Sequence, residues 1–425
     1  MAEMKDSGTA WLGMIPKDWE LSKISTIYEL RTQKVSDKDY PPLSVTMNGI
    51  VPQLDSAAKT NAHDDRKLVK KGDFAINSRS DRRGSCGVSE YDGSVSLINT
   101  VMKPRDEMNP DYYNWLFHTI QFADEFYKWG HGIVDDLWTT NWQDMKHIDI
   151  PVPTLDEQKV IADYLNKAIP EIDALHMDIE KQIETLEEYK KSIITEAVTK
   201  GLNPDVEMKD SGIEWIGMIP KHWNVMRTKY ASENLSKGNG ITKDEIKNDG
   251  NIQCIRYGEI YSKYDGSILK CFSKTKKELI SSPKYISKGD ILFAGTGELV
   301  EEIGKNVVYM GDGDCLAGGD IIVMKHNQNP VFFNYALNST YSQAQKSKGK
   351  AKLKVVHISA ADIGNIFVAI PPKKEQKKIA IILEKKCFEI NCAINEKKEQ
   401  LDTLEQYKKS LIYEYVTGKK EVLND

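Results

Sequence analysis

The chain has 425 residues, 40% of them hydrophobic, and a formal net charge of −5. That length exceeds one ordinary domain, and the apolar content is enough for buried cores; no stretch approaches the roughly 18 uninterrupted apolar residues of a membrane span. The acidic balance excludes a protein that is basic throughout, yet leaves room for basic loops on an acidic scaffold. No basic-then-apolar leader opens the sequence, so no secretion signal is expected. The six cysteines, Cys86, Cys254, Cys271, Cys315, Cys387 and Cys392, form no Cys-x-x-Cys pair. Reduced thiols in the cytoplasm are therefore expected, rather than a zinc site or disulfide frame.

In chain order, residues 4–19 read MKDSGTAWLGMIPKDW and residues 208–223 read MKDSGIEWIGMIPKHW, differing only at Thr9/Ile213, Ala10/Glu214, Leu12/Ile216 and Asp18/His222. The chain is thus a tandem duplication, and the repeat sets the architecture. After each opening motif comes a variable region, 20–150 and 224–370. Short β-branched and aromatic runs broken by Gly, Asn and Asp predict a β-rich α+β fold there. YPPLSVTMNGIV at 40–51 resembles NIQCIRYGEIY at 251–261, and the Lys-Gly-Asp turns at Lys71 and Lys288 stand in matching stretches. Helical patterns over Asp111–Trp129 and Pro330–Lys346 precede closing strands at IDIPVP and NIFVAIPP.

Pro151, Pro153, Pro371 and Pro372 mark extended hinges. Beyond each lies a long helix, Asp156–Val198 and Lys374–Val416, aligning without a gap. Thr154 and Glu157 have the spacing of a capping box; Pro372 opposite Thr154 has no side-chain oxygen. A coiled-coil stripe runs through Ile161, Leu165, Ala168, Ile172, Leu175, Ile179, Leu186, Tyr189 and Ile193, with Gln182 a polar intrusion. The second helix offers Ile379, Leu383, Ile390, Ala393, Leu404, Tyr407 and Leu411, with Lys386, Lys397 and Gln400 on the same stripe and Cys387, Ile394 and Leu401 beside it. Pro170 is expected to bend the first helix. At about 1.5 Å per residue each spans roughly 60 Å. The expected fold class is α+β: two β-rich α+β domains joined by two long helices that pack on each other as a coiled coil, a tandem repeat. The boundaries are 1–150 for the first module, 151–207 for the first helix and linker, 208–370 for the second module and 371–425 for the second helix.

Enzymatic motifs are missing. Gly295-Thr296-Gly297 lacks the third glycine of a dinucleotide fingerprint, and there is no P-loop, His-Glu-x-x-His, EF-hand loop or Gly-x-Ser-x-Gly elbow. Nor is there the Asn/Asp-Pro-Pro-Tyr/Phe box by which amino-methyltransferases resemble one another. Acid pairs such as Asp64–Asp65, Asp135–Asp136 and Glu301–Glu302 read as polar loops rather than general acid–base pairs.

Two basic stretches can hold an anion. NSRSDRRGSCG places Arg79, Ser80, Arg82 and Arg83 in a Gly/Ser-rich loop after an apolar strand, and the arginine fork can take guanine O6 and N7 together or grip a phosphate. The alternative is a solvated loop. QKSKGKAKLKVVH carries Lys346, Lys348, Lys350, Lys352 and Lys354, which an extended chain would array on one edge, suited to a phosphate backbone; a lysine-rich turn is the alternative. WTTNW, with Thr139, Thr140 and Asn141, and His357 stand just before the two closing strands, where their side chains can bond base edges. Trp129, Trp138 and Trp142 are more often packing residues than base stackers.

The tandem layout, the paired Trp-x-Gly-x-Ile-Pro-Lys-x-Trp openings, the Lys-Gly-Asp turns, and IPVPTLDEQ and IPPKKEQ each leading into a helix with Glu-x-Tyr-Lys-Lys-Ser together resemble the specificity subunit of type I restriction–modification systems. The resemblance implies that each module is a target recognition domain reading half of a bipartite double-stranded DNA target. It implies that the helices form an antiparallel coiled coil setting the spacer and docking two modification subunits, and that restriction subunits join these. It implies no cofactor in this chain, with S-adenosylmethionine in the modification subunit and ATP and magnesium in the restriction subunit, and no catalytic residue here. With Thr296, the residues named above form the expected DNA-contacting set: Arg79, Ser80, Arg82, Arg83, Thr139, Thr140, Asn141, Thr296, Lys348, Lys350, Lys352, Lys354 and His357. The expected partner or coiled-coil set is Ile161, Leu165, Ile172, Leu175, Ile179, Leu186, Ile193, Ile379, Leu383, Ile390, Leu404 and Leu411. Two readings remain as alternatives: a coiled-coil interaction scaffold without a DNA role, and a stand-alone DNA-modifying enzyme.

Overall fold

The computed structural model describes the chain apart from residues 1–2, 55–62, 106–107, 134–137, 240, 242, 281–282, 298, 351–355 and 423–425. It forms two compact units, Met1–Glu180 with Lys398–Asp425, and Lys181–Lys397. Each unit therefore contains one variable module, part of the first long helix (Leu155–Lys200) and part of the second (Lys373–Val416).

In the first unit the main sheet is antiparallel, in the order Cys86–Val88, Phe74–Asn77, Asn99–Pro104, Tyr28–Leu30. Every residue of Phe74–Asn77 is buried. Helix Pro110–Phe117 adds Tyr112, Tyr113, Leu116 and Phe117 to that core. The aromatic rings meet edge-on or tilted, with Phe74 5.0 Å from Phe117 and Phe117 4.5 Å from Phe122, a favoured geometry for ring quadrupoles. The helical pattern over Asp111–Trp129 is two helices, because the Thr119 hydroxyl caps a new start by accepting from the Phe122 amide at 3.2 Å.

In the second unit the corresponding sheet has five strands, in the order Ser232–Lys237, Ile321–His326, Ile291–Ala294, Asn306–Tyr309, Ser267–Ile268. A second sheet pairs Ile252–Ile255 in parallel with Cys315–Ala317. The modules share their Lys-Gly-Asp turn: Gly72 and Gly289 have φ of 86° and 98°, and Asp73 and Asp290 each accept a backbone N–H, from Lys70 and Ser287, at 2.8 Å. The expected match of 40–51 with 251–261 does not hold. Leu43–Thr46 and Gly49–Pro52 make a hairpin through the two-residue loop Met47-Asn48, followed by Gly49 at φ 100°, whereas Ile252–Ile255 leads into helix Tyr257–Ser262.

The opening motifs fold alike. Met4–Asp6 pairs with Met14–Pro16, and Met208–Asp210 with Met218–Pro220, in the same register. Each buries its final tryptophan, Trp19 or Trp223. The closing strands Asp149–Val152 and Phe367–Ile370 pair with Glu20–Lys23 and Asn224–Arg227.

The capping box forms: the Thr154 amide and hydroxyl both donate to Glu157 Oε2, at 2.9 and 2.7 Å. Pro170 lies inside a continuous helix. Within each unit the two helices run antiparallel. In the first, Tyr164 stacks on Tyr415 and Asp173 pairs with Lys408; in the second, Lys190 Nζ donates to Asn391 Oδ1 at 2.8 Å while Gly201 lies beside Glu375. Lys190 and Lys408 hold the same place in the two repeats, as do Asp173 and Asn391, so both units use one pairing register.

The observed stripe corrects the expected one. On the second helix Leu383, Cys387, Ile390 and Ile394 are buried and Leu401 and Leu404 half-buried, whereas Lys386 and Gln400 are exposed. Steps of four and three from Leu383 collect the apolar residues, leaving Lys397 as the polar member. On the first helix Ile161, Leu165, Ile169 and Ile179 are buried and Ile172, Ile183, Leu186 and Ile193 half-buried; Gln182 is exposed. Leu175 is 49% and Tyr189 53% exposed, off the seam. Ile379 and Leu411 are buried. No helix among the described residues is long and apolar enough to cross a membrane.

Candidate nucleic-acid interface

Strand Phe74–Asn77 leaves the first sheet through Ser78 and Arg79 and turns into a short 3-10 helix, Ser80–Arg82. This exit lies along the segment before the closing strand. Arg79 bridges antiparallel to Thr139, the Ser80 amide donates to Trp138 O at 3.1 Å, and the Thr140 amide to Ser78 O at 2.9 Å. The loop is held by backbone bonds, leaving its side chains to differ.

Three arginines leave this loop in different states. Arg83 is paired with Asp124 and lies over the Tyr127 ring at 5.2 Å. Among the described residues Arg82 has only its neighbour Asp81, at 3.7 Å. Arg79 is exposed, and no acidic partner lies within ion-pair distance among the described residues. Its own amide donates to Asn77 Oδ1 at 3.1 Å, which fixes the backbone from which the side chain projects.

Thr139 is half-exposed beside Arg79. Thr140 and Asn141, both expected at DNA, are occupied otherwise. Thr140 is 1% exposed and its hydroxyl donates to Phe126 O at 2.9 Å, so it has no surface to offer a base. Asn141 caps helix Trp142–Met145, its Oδ1 accepting from the Gln143 amide at 2.7 Å while Asp144 accepts from the Asn141 amide. Trp138 is a packing residue, its indole N–H donating to Tyr127 O at 2.9 Å.

The second module repeats the device with other side chains. Strand Ile291–Ala294 exits through Gly295 and Thr296, and Thr296–Gly297 pairs antiparallel with Val356–His357. Thr296 Oγ1 and His357 Nδ1 are 3.0 Å apart in a hydrogen bond. Ser359 caps the following helix, with Asp362 as reciprocal acceptor.

The five-lysine edge does not form. Lys346 lies in helix Thr340–Ser347 and is 2% exposed, its amine donating to Gly304 O at 2.7 Å and Asn306 Oδ1 at 2.9 Å. Burial pushes its pKa down to about 7. The alternation expected of an extended chain fails because the run begins in a helix. Lys348 places its amine 4.7 Å from the Trp215 ring centre. Lys350 donates to His357 O at 2.7 Å and pairs with Asp362 at 3.5 Å. Lys352 and Lys354 lie outside the described residues.

Sequence reasoning missed the pairing of Arg79 with Thr139 and of Thr296 with His357. A signal was present: counted from the Lys-Gly-Asp turns, Arg79 and Thr296 hold the same place.

The type I restriction modification DNA specificity domain matches twice, over residues 16–185 and 220–406. The specificity subunit of the type I restriction enzyme MjaVIII of Methanocaldococcus jannaschii is 24% identical over 433 residues, covering 96% of this chain and 95% of its own. The putative MjaX specificity subunit of the same organism is 26% identical over 441 residues, with the same shares. A chain from a solved type I R-M system, described for its complex assembly and conformational transition, superposes with a TM-score of 0.74 over 96% of this chain and 99% of its own, at 13% identity, a likeness of fold. With both repeats matched, the chain belongs to the type I restriction–modification DNA specificity family.

Proposed function

We propose that this chain is the specificity subunit of a type I restriction–modification complex, with one module reading each half of a bipartite, asymmetric DNA target. The observation that carries this is the family match falling once on each repeat. The two strand exits support it, since they share a backbone frame and differ in side chains, as two readers of unlike half-sites require. Arg79, Ser80, Arg82, Arg83 and Thr139 serve the first half-site, and Thr296 and His357 the second; Lys348, Lys350, Lys352 and Lys354 serve phosphates. A single wrong base pair then costs about 1–3 kcal/mol.

The helix pair sets the spacer and docks two modification subunits. Tyr189 and Tyr407, 53% and 50% exposed, occupy the same place in the Glu-x-Tyr-Lys-Lys-Ser run of each repeat, which supports two equivalent docking positions. In this reading S-adenosylmethionine and the methylating site belong to the modification subunits, ATP and magnesium to restriction subunits, and this chain works in the cytoplasm without a catalytic centre of its own. The test is a gel shift with the modification subunit present. Salt-dependent binding that prefers one split sequence is expected; binding indifferent to sequence, or methylation or cleavage by the purified chain alone, would refute the reading.

A further inference from the structure

We infer that Arg79 with Thr139, and Thr296 with His357, are one base-reading position written twice: a guanine reader in the first module and a reader without a guanine requirement in the second. This rests on the DNA-reading role proposed above and goes further by assigning the position and its chemistry.

The equivalence is geometric. Both pairs lie where the strand after the Lys-Gly-Asp turn leaves its sheet, and both join that exit, antiparallel, to the segment before a short capped helix. In each, backbone hydrogen bonds fix the frame: Thr140 N to Ser78 O at 2.9 Å in the first, Ile358 N to Gly295 O at 2.9 Å in the second. Paired residues of an antiparallel ladder send their side chains to one face. The modules thus hold two side chains each on the same rigid platform.

The chemistry differs. Arg79 projects a planar fork with no acidic partner among the described residues, while Arg83 is held by Asp124 and Tyr127. A free fork matches the paired acceptors O6 and N7 of guanine. In the second module Thr296 Oγ1 and His357 Nδ1 bond each other, so the imidazole has one ring nitrogen, Nε2, left for a base. One nitrogen cannot make the two-point contact that singles out guanine.

The experiment uses the complex of this chain with its modification subunits, selecting bound sequences from a randomised DNA library at fixed salt. Arg79→Ala should lower the preference for one guanine in one half-site by about ten-fold or more. Arg79→Lys should do the same while keeping the salt dependence. The graft Thr296→Arg with His357→Thr should add a guanine requirement at one position of the other half-site, leaving the first half-site and the spacer alone. If Arg79→Ala and Arg79→Lys leave the guanine preference unchanged, or if Arg79→Ala weakens binding equally on all sequences, the assignment is overturned. A folded, assembled graft that acquires no guanine overturns the equivalence. A wild-type complex without sequence preference would instead refute the DNA-reading role itself.

Discussion

Glu157 joins the first long helix to the opening motif. Its carboxylate accepts from Thr154 and also from the Trp19 indole N–H at 3.1 Å. Burial alone would raise its pKa, but the hydrogen bonds from Thr154 and Trp19 outweigh that and hold it below the ordinary value. A carboxylate with a lowered folded pKa stabilises fully above its unfolded pKa, and the contribution is lost as pH falls through the folded one. Glu157→Gln should therefore cost about 1 kcal/mol at neutral pH, and denaturant melts should show the gap to wild type closing in acid. Lys346 gives a dependence of the same sign in a higher pH window. Its amine is neutral in the fold above about 7 but protonated in the unfolded chain up to its ordinary value, so stability should rise with pH between the two. In Lys346→Met that rise should vanish from the pH dependence of the melting temperature. The capping box was legible because it is local, Thr154 and Glu157 standing one turn apart. Lys346 was not, because nothing in a lysine-rich run says which amine meets Gly304 and Asn306.

At the scale of the element, both long helices end on a glycine with positive φ, Gly201 at 77° and Gly418 at 68°. Each lies against an opening motif: a Cβ on Gly201 would stand 3.2 Å from Trp223, and one on Gly418 2.4 Å from Pro16 and 2.9 Å from Trp19. Gly418→Ala combines the left-handed penalty with that collision, and should lower the melting temperature more than Gly201→Ala does. The helices themselves were plain from the repeat, but their buried stripe was not. An apolar residue lies on either side of several seam positions, as with Tyr189 and Ile183, and only the partner helix decides which is covered. The exposed tyrosines give a separate prediction: Tyr189→Lys and Tyr407→Lys should each remove one modification subunit, read by native mass spectrometry, with the fold intact.

At the scale of the whole molecule, the duplication makes the α+β class and the repeated architecture legible in the residues alone. The division of the chain is hidden there, since each compact unit draws on both helices and so on residues more than two hundred positions apart, such as Asp173 and Lys408. Contacts of that kind leave no local pattern. The strand exits were legible as basic or polar loops, but not as one position written twice. If the helix pair is a ruler, its length has a unit. Seven residues inserted at matching places in both helices keep the four-three stripe in phase and add about 10 Å. Methylome sequencing should then show the spacer lengthened by about three base pairs of 3.4 Å each, with both half-sites unchanged.

The glycine clasps have a topological consequence. In the second unit, the peptide from Gly201 to Met208 carries the chain from helix end to opening motif. In the first, the same meeting is made by contact alone: Tyr413 donates its hydroxyl hydrogen to Trp11 O at 2.8 Å, and the Lys419 amine reaches Leu12 O. The two meetings of helix end and opening motif are alike, so a break in the chain is tolerated at either one. A circular permutant beginning at Met208, with residue 420 tied to residue 3 by a copy of LNPDVE, should fold and read the same target, its two modules merely exchanged in order along the gene.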